Sequence, residues 1–153
     1  SLRMIARLSL LALLSVAIYA QGGPNDVPPF LQNADQATRA SFFAVLQANG
    51  NKPEPQVNAA VDQWASRQSP AVKLAYTNFK AEVEKYQKEE ESAHSAAVSA
   101  FSPAARAADA QLSQIAAKQG LSFEAKQQEI TNYINSLDAG VKAEIIKAMG
   151  GQQ

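Results

Sequence analysis

The sequence predicts an all-α protein with about six helices, one of them long and central. Thirty of its 153 residues are alanine and fifteen are glutamine, and both residue types lose little side-chain entropy in a helix. Apolar residues recur three and four positions apart, with no stretch of period two. Serine or aspartate caps and prolines cut this pattern into separate helical segments.

The first twenty residues have the pattern of a secretory signal peptide. Arg3 and Arg7 precede an apolar run of 13 residues, Leu8 to Ala20, that ends on a small side chain. Such a run spans about 20 Å as a helix, less than the roughly 30 Å of a bilayer core, which disfavours a membrane anchor. We therefore expect cleavage between Ala20 and Gln21 and a secreted, extracellular protein.

A leader rich in glycine and proline, residues 21–33, follows the predicted cleavage point. We expect it to be extended, with Phe30 and Leu31 able to attach it to the core. Residues 34–150 are predicted to form a single helical domain.

The first two helices are separated by a short polar loop. Asn33 and Gln36 have the spacing of a capping box for a helix that ends near Ala48. The second helix carries one apolar face, on which we expect Trp64 to be a core residue rather than a platform for a ligand. The members of this face are Val57, Ala60, Val61, Trp64 and Ala65.

The third helix begins at Ser69-Pro70 and meets no further glycine or proline before Ser102. At about 31 residues it would reach roughly 46 Å, longer than a compact domain of this size. It therefore either joins two clusters or breaks near Glu89–Glu91. Its apolar seam could also mediate a coiled-coil dimer. The seam consists of Val72, Tyr76, Phe79, Val83, Tyr86, Glu90, Ala93, Ala97 and Ala100.

Three further helices are predicted from their start signals. Ser102-Pro103 opens the fourth, which ends by Gly120. Ser122 opens the fifth, and Asp138 opens the sixth, which ends at Gly150.

Composition excludes several classes of protein. Fourteen basic residues balance fourteen acidic ones, so no basic surface for nucleic acid is expected. There is no cysteine for a disulfide, thiolate metal site or thiol nucleophile, and the single histidine, His94, is expected to be exposed. We also find no nucleophile elbow and no glycine-rich phosphate loop, so we predict that the protein is not an enzyme.

Two sets of oxygen-bearing side chains could hold a hard cation such as Mg²⁺ or Ca²⁺. The first is Asn49, Asn51 and Glu54, although a helix cap and turn explain these residues better. The second is Glu90 and Glu91, for which a solvated helix face is the better explanation. A third group, Asp138 with Glu144 or Glu129, is better explained by helix capping.

Several segments together resemble the SXP/RAL family of secreted nematode antigens, near the branch that contains a heat-stable allergen of a fish-parasitic nematode. The matching segments are Pro28-Pro29-Phe30-Leu31, the stretch from Trp64 to Val72, Phe101-Ser102-Pro103-Ala104-Ala105, and Leu137 with Val141-Lys142. The resemblance implies an all-helical, loosely calmodulin-like domain that binds cations, is recognised by host antibodies and has no established enzymatic activity. At Lys52-Pro53-Glu54-Pro55 the chain departs from the family pattern.

Three functions remain open on the sequence alone. The first is a secreted antigen or allergen that binds a divalent cation without catalysis. The second is a carrier of a small apolar ligand such as a lipid, held in a groove between the alanine-rich half of the third helix and the fourth. The third is a coiled-coil interaction module, so either a monomer or a weak dimer is expected.

Overall fold

The computed structural model describes residues 27–149 of the chain, and the predicted signal peptide lies outside them. Within this range the fold is all-α, as predicted, with six α-helices, one 3₁₀ turn and no strand. The 3₁₀ turn is Pro29–Leu31. The helices are α1 (Gln36–Asn49), α2 (Glu54–Ser66), α3 (Pro70–Ser99), α4 (Pro103–Ala116), α5 (Phe123–Ser136) and α6 (Ala139–Ala148).

The described residues divide into two compact units, which we call the N-terminal and C-terminal units. The N-terminal unit comprises residues 27–86 and 119–123, and the C-terminal unit comprises residues 87–118 and 124–149. The boundary falls inside α3, which is one continuous helix of 30 residues. The alternative of a break near Glu89–Glu91 is therefore wrong.

The N-terminal unit encloses an aromatic core between the 3₁₀ turn, α1, α2 and the first half of α3. Phe30 and Leu31 are buried in it, which confirms that these residues attach the preceding chain to the core. Trp64 is also a core residue, as predicted, at 6 % exposure. The buried members are Phe30, Leu31, Phe42, Leu46, Val57, Val61, Trp64, Ala65 and Tyr76.

The C-terminal unit has a separate aliphatic core from α4, α5 and α6, with α4 packed against α6. Its buried members are Phe101, Ala105, Ala108, Leu112, Ile115, Ile130, Ile134 and Ile145. Two of these residues are alanines, whose small side chains let helix backbones approach closely. Each alanine buries less apolar area than any of the six larger side chains in this core.

Helix starts agree with the capping signals at some positions and differ at others. Ser102 caps α4, where its hydroxyl accepts a hydrogen bond from the backbone N–H of Ala105. The cap of α1 is Asp35, whose carboxylate accepts from Thr38 N at 2.7 Å, so the capping box predicted at Asn33 and Gln36 is wrong. The 3₁₀ turn explains the shift, because Ala34 N still donates to Leu31 O and the chain becomes extended only at Asp35.

Part of the apolar seam that was predicted to mediate a dimer packs into the core of the N-terminal unit. Tyr76 is buried, and Val72 and Phe79 pack against the same core. Side chains that already contact their own chain are not available for a coiled coil, which disfavours dimerisation through this end of α3.

None of the helices within residues 27–149 is long and apolar enough to cross a membrane.

Candidate functional site

An apolar groove of about 540 Å³ opens on the N-terminal unit. Two of its lining residues come from the 3₁₀ turn and six from residues 75–86 of α3. They are Pro29 and Phe30 from the turn, and Ala75, Asn78, Phe79, Glu82, Val83 and Tyr86 from the helix. Its volume lies in the range of roughly 300–1,000 Å³ that is usual for small-molecule sites.

Helical spacing explains why these side chains meet. Residues three and four apart share a helix face, so positions 75, 79, 82 and 86 form one continuous strip of α3. The strip adjoins the core face, and for that reason Phe79 contacts the core and lines the groove as well.

Phe30 forms a firm wall because other rings hold it on several sides. Its ring centroid lies 5.3 Å from that of Phe42, 5.2 Å from that of Tyr76 and 5.0 Å from that of Phe79. Edge-to-face and tilted pairs of this kind add roughly 0.5–1.5 kcal/mol each beyond the apolar area they bury.

Polar contacts fix the turn that carries Phe30. The Arg39 side chain on α1 donates from Nε to Leu31 O at 3.0 Å, and from Nη2 to Gln32 O. One guanidinium thereby satisfies two carbonyls at the end of the turn. In the same unit, Trp64 Nε1 donates to Ser41 Oγ at 2.8 Å.

A hydrogen-bonded group joins α2 to α3 beside the groove. Asp62 Oδ1 accepts from the Tyr76 hydroxyl at 2.6 Å and from Lys80 Nζ at 3.0 Å. Burial raises the pKa of Tyr76, and the Asp62 carboxylate raises it further. Burial acts against ionisation of Asp62, but the hydrogen bonds from Tyr76 and Lys80 leave its pKa below the usual value.

The first predicted cation set lies at the end of α1 and the start of α2. Asn49 ends α1, where its Nδ2 donates to Val45 O at 2.8 Å and its Oδ1 accepts from Lys52 Nζ at 2.9 Å. Asn51 is exposed, and Glu54 is the first residue of α2. A metal ion bound to Asn49 Oδ1 would have to displace the Lys52 ammonium, so the loop as placed does not fit a divalent cation.

The second predicted set, Glu90 and Glu91, lies on α3 within the C-terminal unit. Neighbouring helical residues point about 100° apart, so these two carboxylates do not converge on one ion. Across residues 27–149, no group of three or more histidine, cysteine, aspartate or glutamate side chains is placed to hold a metal. Both sets stay predictions.

The acidic residues of the third group take other partners. Both carboxylate oxygens of Glu144 accept from Ser102, Oε1 from the backbone N–H at 2.7 Å and Oε2 from the hydroxyl at 2.8 Å. The Ser102 backbone hydrogen bond, followed by that of its hydroxyl, lowers the pKa of Glu144. Glu129 accepts from Lys118, and Asp138 is the N-cap position of α6 without a side-chain cap.

His94 is not the exposed side chain that the sequence predicts. Its Nε2 lies 3.0 Å from Asp109 Oδ2, and the two side chains are 27 % and 8 % exposed. A buried aspartate on the facing side of α4 could not be recognised from sequence, because Asp109 stands alone among alanines.

The groove also lies elsewhere than the sequence suggested. The expected position was between the alanine-rich half of the third helix and the fourth, whereas this groove is on the aromatic half of α3. Alanines pack closely and leave little space, while a ring wall such as Phe30 leaves an open channel beside it.

Fold and groove together define a small, cysteine-free helical protein with an apolar surface groove. A family profile described as "SXP/RAL-2 family protein Ani s 5-like, metal-binding domain" matches residues 2–152, and the chain belongs to this family. The resemblance seen in the sequence is thereby confirmed.

Two relatives from nematodes cover most of the chain. The OV-17 antigen of Onchocerca volvulus is 36 % identical over 128 residues, which is 84 % of this chain and 78 % of that protein. The SXP/RAL-2 family protein Ani s 5 of Anisakis simplex is 33 % identical over 123 residues, or 80 % of this chain and 81 % of that protein. No solved structure matches the chain significantly.

Proposed function

We propose that this chain is a secreted, non-catalytic nematode antigen that binds a small amphiphile through its hydrocarbon tail in the groove of the N-terminal unit. The observation that carries the proposal is the groove itself, an opening of about 540 Å³ with mostly apolar walls. Each methylene that such a tail buries contributes about 0.8 kcal/mol.

The groove is supported by a core that holds its walls in place. Phe30 is 5 % exposed and packed against other rings, so a ligand does not have to order this wall. Tyr86, by contrast, is 41 % exposed and lines the open side of the groove.

Titration with a single-chain amphiphile tests the proposal. Dodecyl maltoside below its micelle concentration is expected to shift amide resonances of residues 75–86 in ¹⁵N-labelled protein. Tyr86→Ala is expected to weaken binding. Leu74→Ala is the matched control, because Leu74 lies on the same helix, is 62 % exposed and does not line the groove.

The result that would contradict the proposal is equal weakening by both substitutions, or shifts spread evenly along the chain. Ala75→Trp provides a second test. It is expected to weaken amphiphile binding, because a bulky ring at this half-buried position fills the groove. Circular dichroism and thermal unfolding show whether each variant keeps its fold.

Secretion is supported by the basic and apolar pattern of the first twenty residues and by a relative that is named as an antigen. Expression of the full chain in a eukaryotic secretory system is expected to release a protein whose first residue is Gln21. Retention of an intact N-terminus in the cytosol would contradict this part of the proposal.

Divalent cation binding is a second candidate function, favoured by the description of the family profile as a metal-binding domain. Mg²⁺ or Ca²⁺ would bind Asn49, Asn51 and Glu54 once the Lys52 ammonium leaves Asn49 Oδ1, or would bind the carboxylate of either Glu90 or Glu91 alone. Titration of ¹⁵N-labelled protein with either ion is expected to shift the amide resonances near one of the two sets only. The substitution that abolishes these shifts, Glu54→Gln or Glu91→Gln, identifies the set that binds the ion. Small uniform shifts would contradict specific binding.

A further inference from the structure

The groove carries a single charged side chain, Glu82, among its eight lining residues. We propose that its ligand is an amphiphile with a positively charged ammonium head, and that the head binds between the Glu82 carboxylate and the Tyr86 ring. This inference rests on the proposed function, because it names the class of ligand for the same site.

The polar and the apolar residues of α3 that line the groove form two separate rows along the helix. Asn78, Glu82 and Tyr86 are spaced four apart on α3, so they form one row, and each is separated from the next by about 6 Å along the helix axis. Ala75, Phe79 and Val83 form the apolar row beside it. A tail that runs along the apolar row from Ala75 to Val83 therefore ends beside Glu82 and Tyr86, where its head group would lie.

The charges around Glu82 favour a cation in the ligand. Within the part of the chain that the structure describes, no hydrogen bond or ion pair engages the Glu82 carboxylate. Lys80, two residues earlier, is bound to Asp62 and lies 5.6 Å from the centroid of the Tyr76 ring. Lys85 does not line the groove.

An anionic head group at this position would be repelled. A carboxylate or phosphate next to Glu82 brings two like charges together beside apolar walls, where water screens them less than in bulk solvent. An ammonium in the same place gains attraction instead, and Asn78 adds only a neutral side chain.

Tyr86 supplies the second contact for a cation. Aromatic faces attract ammonium groups, and a quaternary ammonium is recognised by this interaction even without hydrogen bonds. Since Tyr86 is 41 % exposed and one helical turn from Glu82, its ring and the carboxylate are accessible to one head group.

Two probes of equal chain length test the inference, namely dodecyltrimethylammonium and dodecanoate, each below its micelle concentration. Calorimetry on the chain is expected to show about fivefold tighter binding of the ammonium probe, the size of an exposed ion pair plus a cation–π contact. Glu82→Gln is expected to remove most of this difference while leaving dodecyl maltoside binding unchanged.

Glu89→Gln is the matched charge control, because Glu89 is an exposed glutamate on the same helix outside the groove. It is expected to keep the ammonium preference. Tyr86→Leu keeps apolar area but is expected to reduce the preference by about twofold.

The outcomes separate the inference from the function on which it rests. Binding of all three probes with equal affinity overturns the ammonium head and leaves amphiphile binding intact. Loss of the preference in Glu89→Gln as well as Glu82→Gln overturns the inference too, because long-range attraction would then explain it. No binding of any probe overturns the proposed function.

Discussion

At the scale of single residues, Trp64 shows how one side chain supports a whole unit. It is 6 % exposed, its ring packs 5.3 Å from that of Phe42, and its Nε1 donates to Ser41 Oγ. Removal of such a ring lowers the free energy of unfolding in two ways: the transfer free energy of the buried ring is lost, and a cavity is left in the core.

Trp64→Ala is therefore expected to lower the free energy of unfolding by about 3–5 kcal/mol, measured by urea denaturation. Trp64→Phe keeps most of the apolar contact and is expected to cost clearly less. A loss below about 1 kcal/mol in Trp64→Ala would contradict the core role, and the exposed Leu74→Ala provides the baseline.

His94 and Asp109 form a residue-scale pair within the C-terminal unit. Asp109 is 8 % exposed, so loss of the His94 hydrogen bond leaves a poorly solvated carboxylate. His94→Ala is expected to cost about 1–3 kcal/mol, the usual range for a buried acceptor left without its partner.

A double-mutant cycle measures the coupling of this pair. Unfolding of His94→Ala, Asp109→Ala and the double variant is expected to show non-additive losses. Strictly additive losses would mean that the two side chains do not stabilise each other.

At the scale of elements, α4 and α6 are joined by the carboxylate of Glu144 bound to Ser102. This contact satisfies the Ser102 amide and its hydroxyl at the start of α4, next to the positive end of the helix dipole. The backbone and hydroxyl hydrogen bonds from Ser102 lower the pKa of Glu144 from its ordinary value of 4.5.

The pH dependence follows from this lowered pKa. A carboxyl with a lower pKa in the folded state adds stability above its ordinary pKa, and this stability is lost as pH falls through the folded value. The difference in Tm between the natural chain and Glu144→Gln is expected to be largest near neutral pH and to shrink below about pH 4.

Glu91→Gln is a suitable control for this experiment, because Glu91 is exposed on a helix surface. A constant difference in Tm between pH 7 and pH 3 for Glu144→Gln would contradict the assignment. It would show that the ionised form contributes nothing beyond a neutral amide.

At the scale of the whole molecule, the chain has two cores of different composition. The core of the N-terminal unit is built around aromatic rings, and that of the C-terminal unit around isoleucine, leucine and alanine. Because the two cores are separate, we expect a substitution in one core to lower the free energy of local opening mainly in its own unit.

Hydrogen exchange measured by mass spectrometry checks this expectation. Leu46→Ala is expected to lower protection chiefly in residues 36–86, and Ile130→Ala chiefly in residues 103–149. A uniform loss of protection in both variants would mean that the chain opens only as one cooperative unit.

The sequence by itself determined the helical class, the helix count and most helix starts. These properties depend on local forces, such as the spacing of apolar residues and the capping of free amides at Ser102, which act within a few residues. Phe30 and Trp64 were predictable core residues because large, mainly apolar rings are usually buried.

Only the tertiary structure decided where side chains from distant positions meet. The approach of Phe30 to α3, which opens the groove, and the bonds of His94 to Asp109 and of Glu144 to Ser102 join residues between 15 and 49 positions apart. Such contacts depend on how helices pack against one another, and the pattern along one helix does not specify which neighbour its polar or half-buried face will meet.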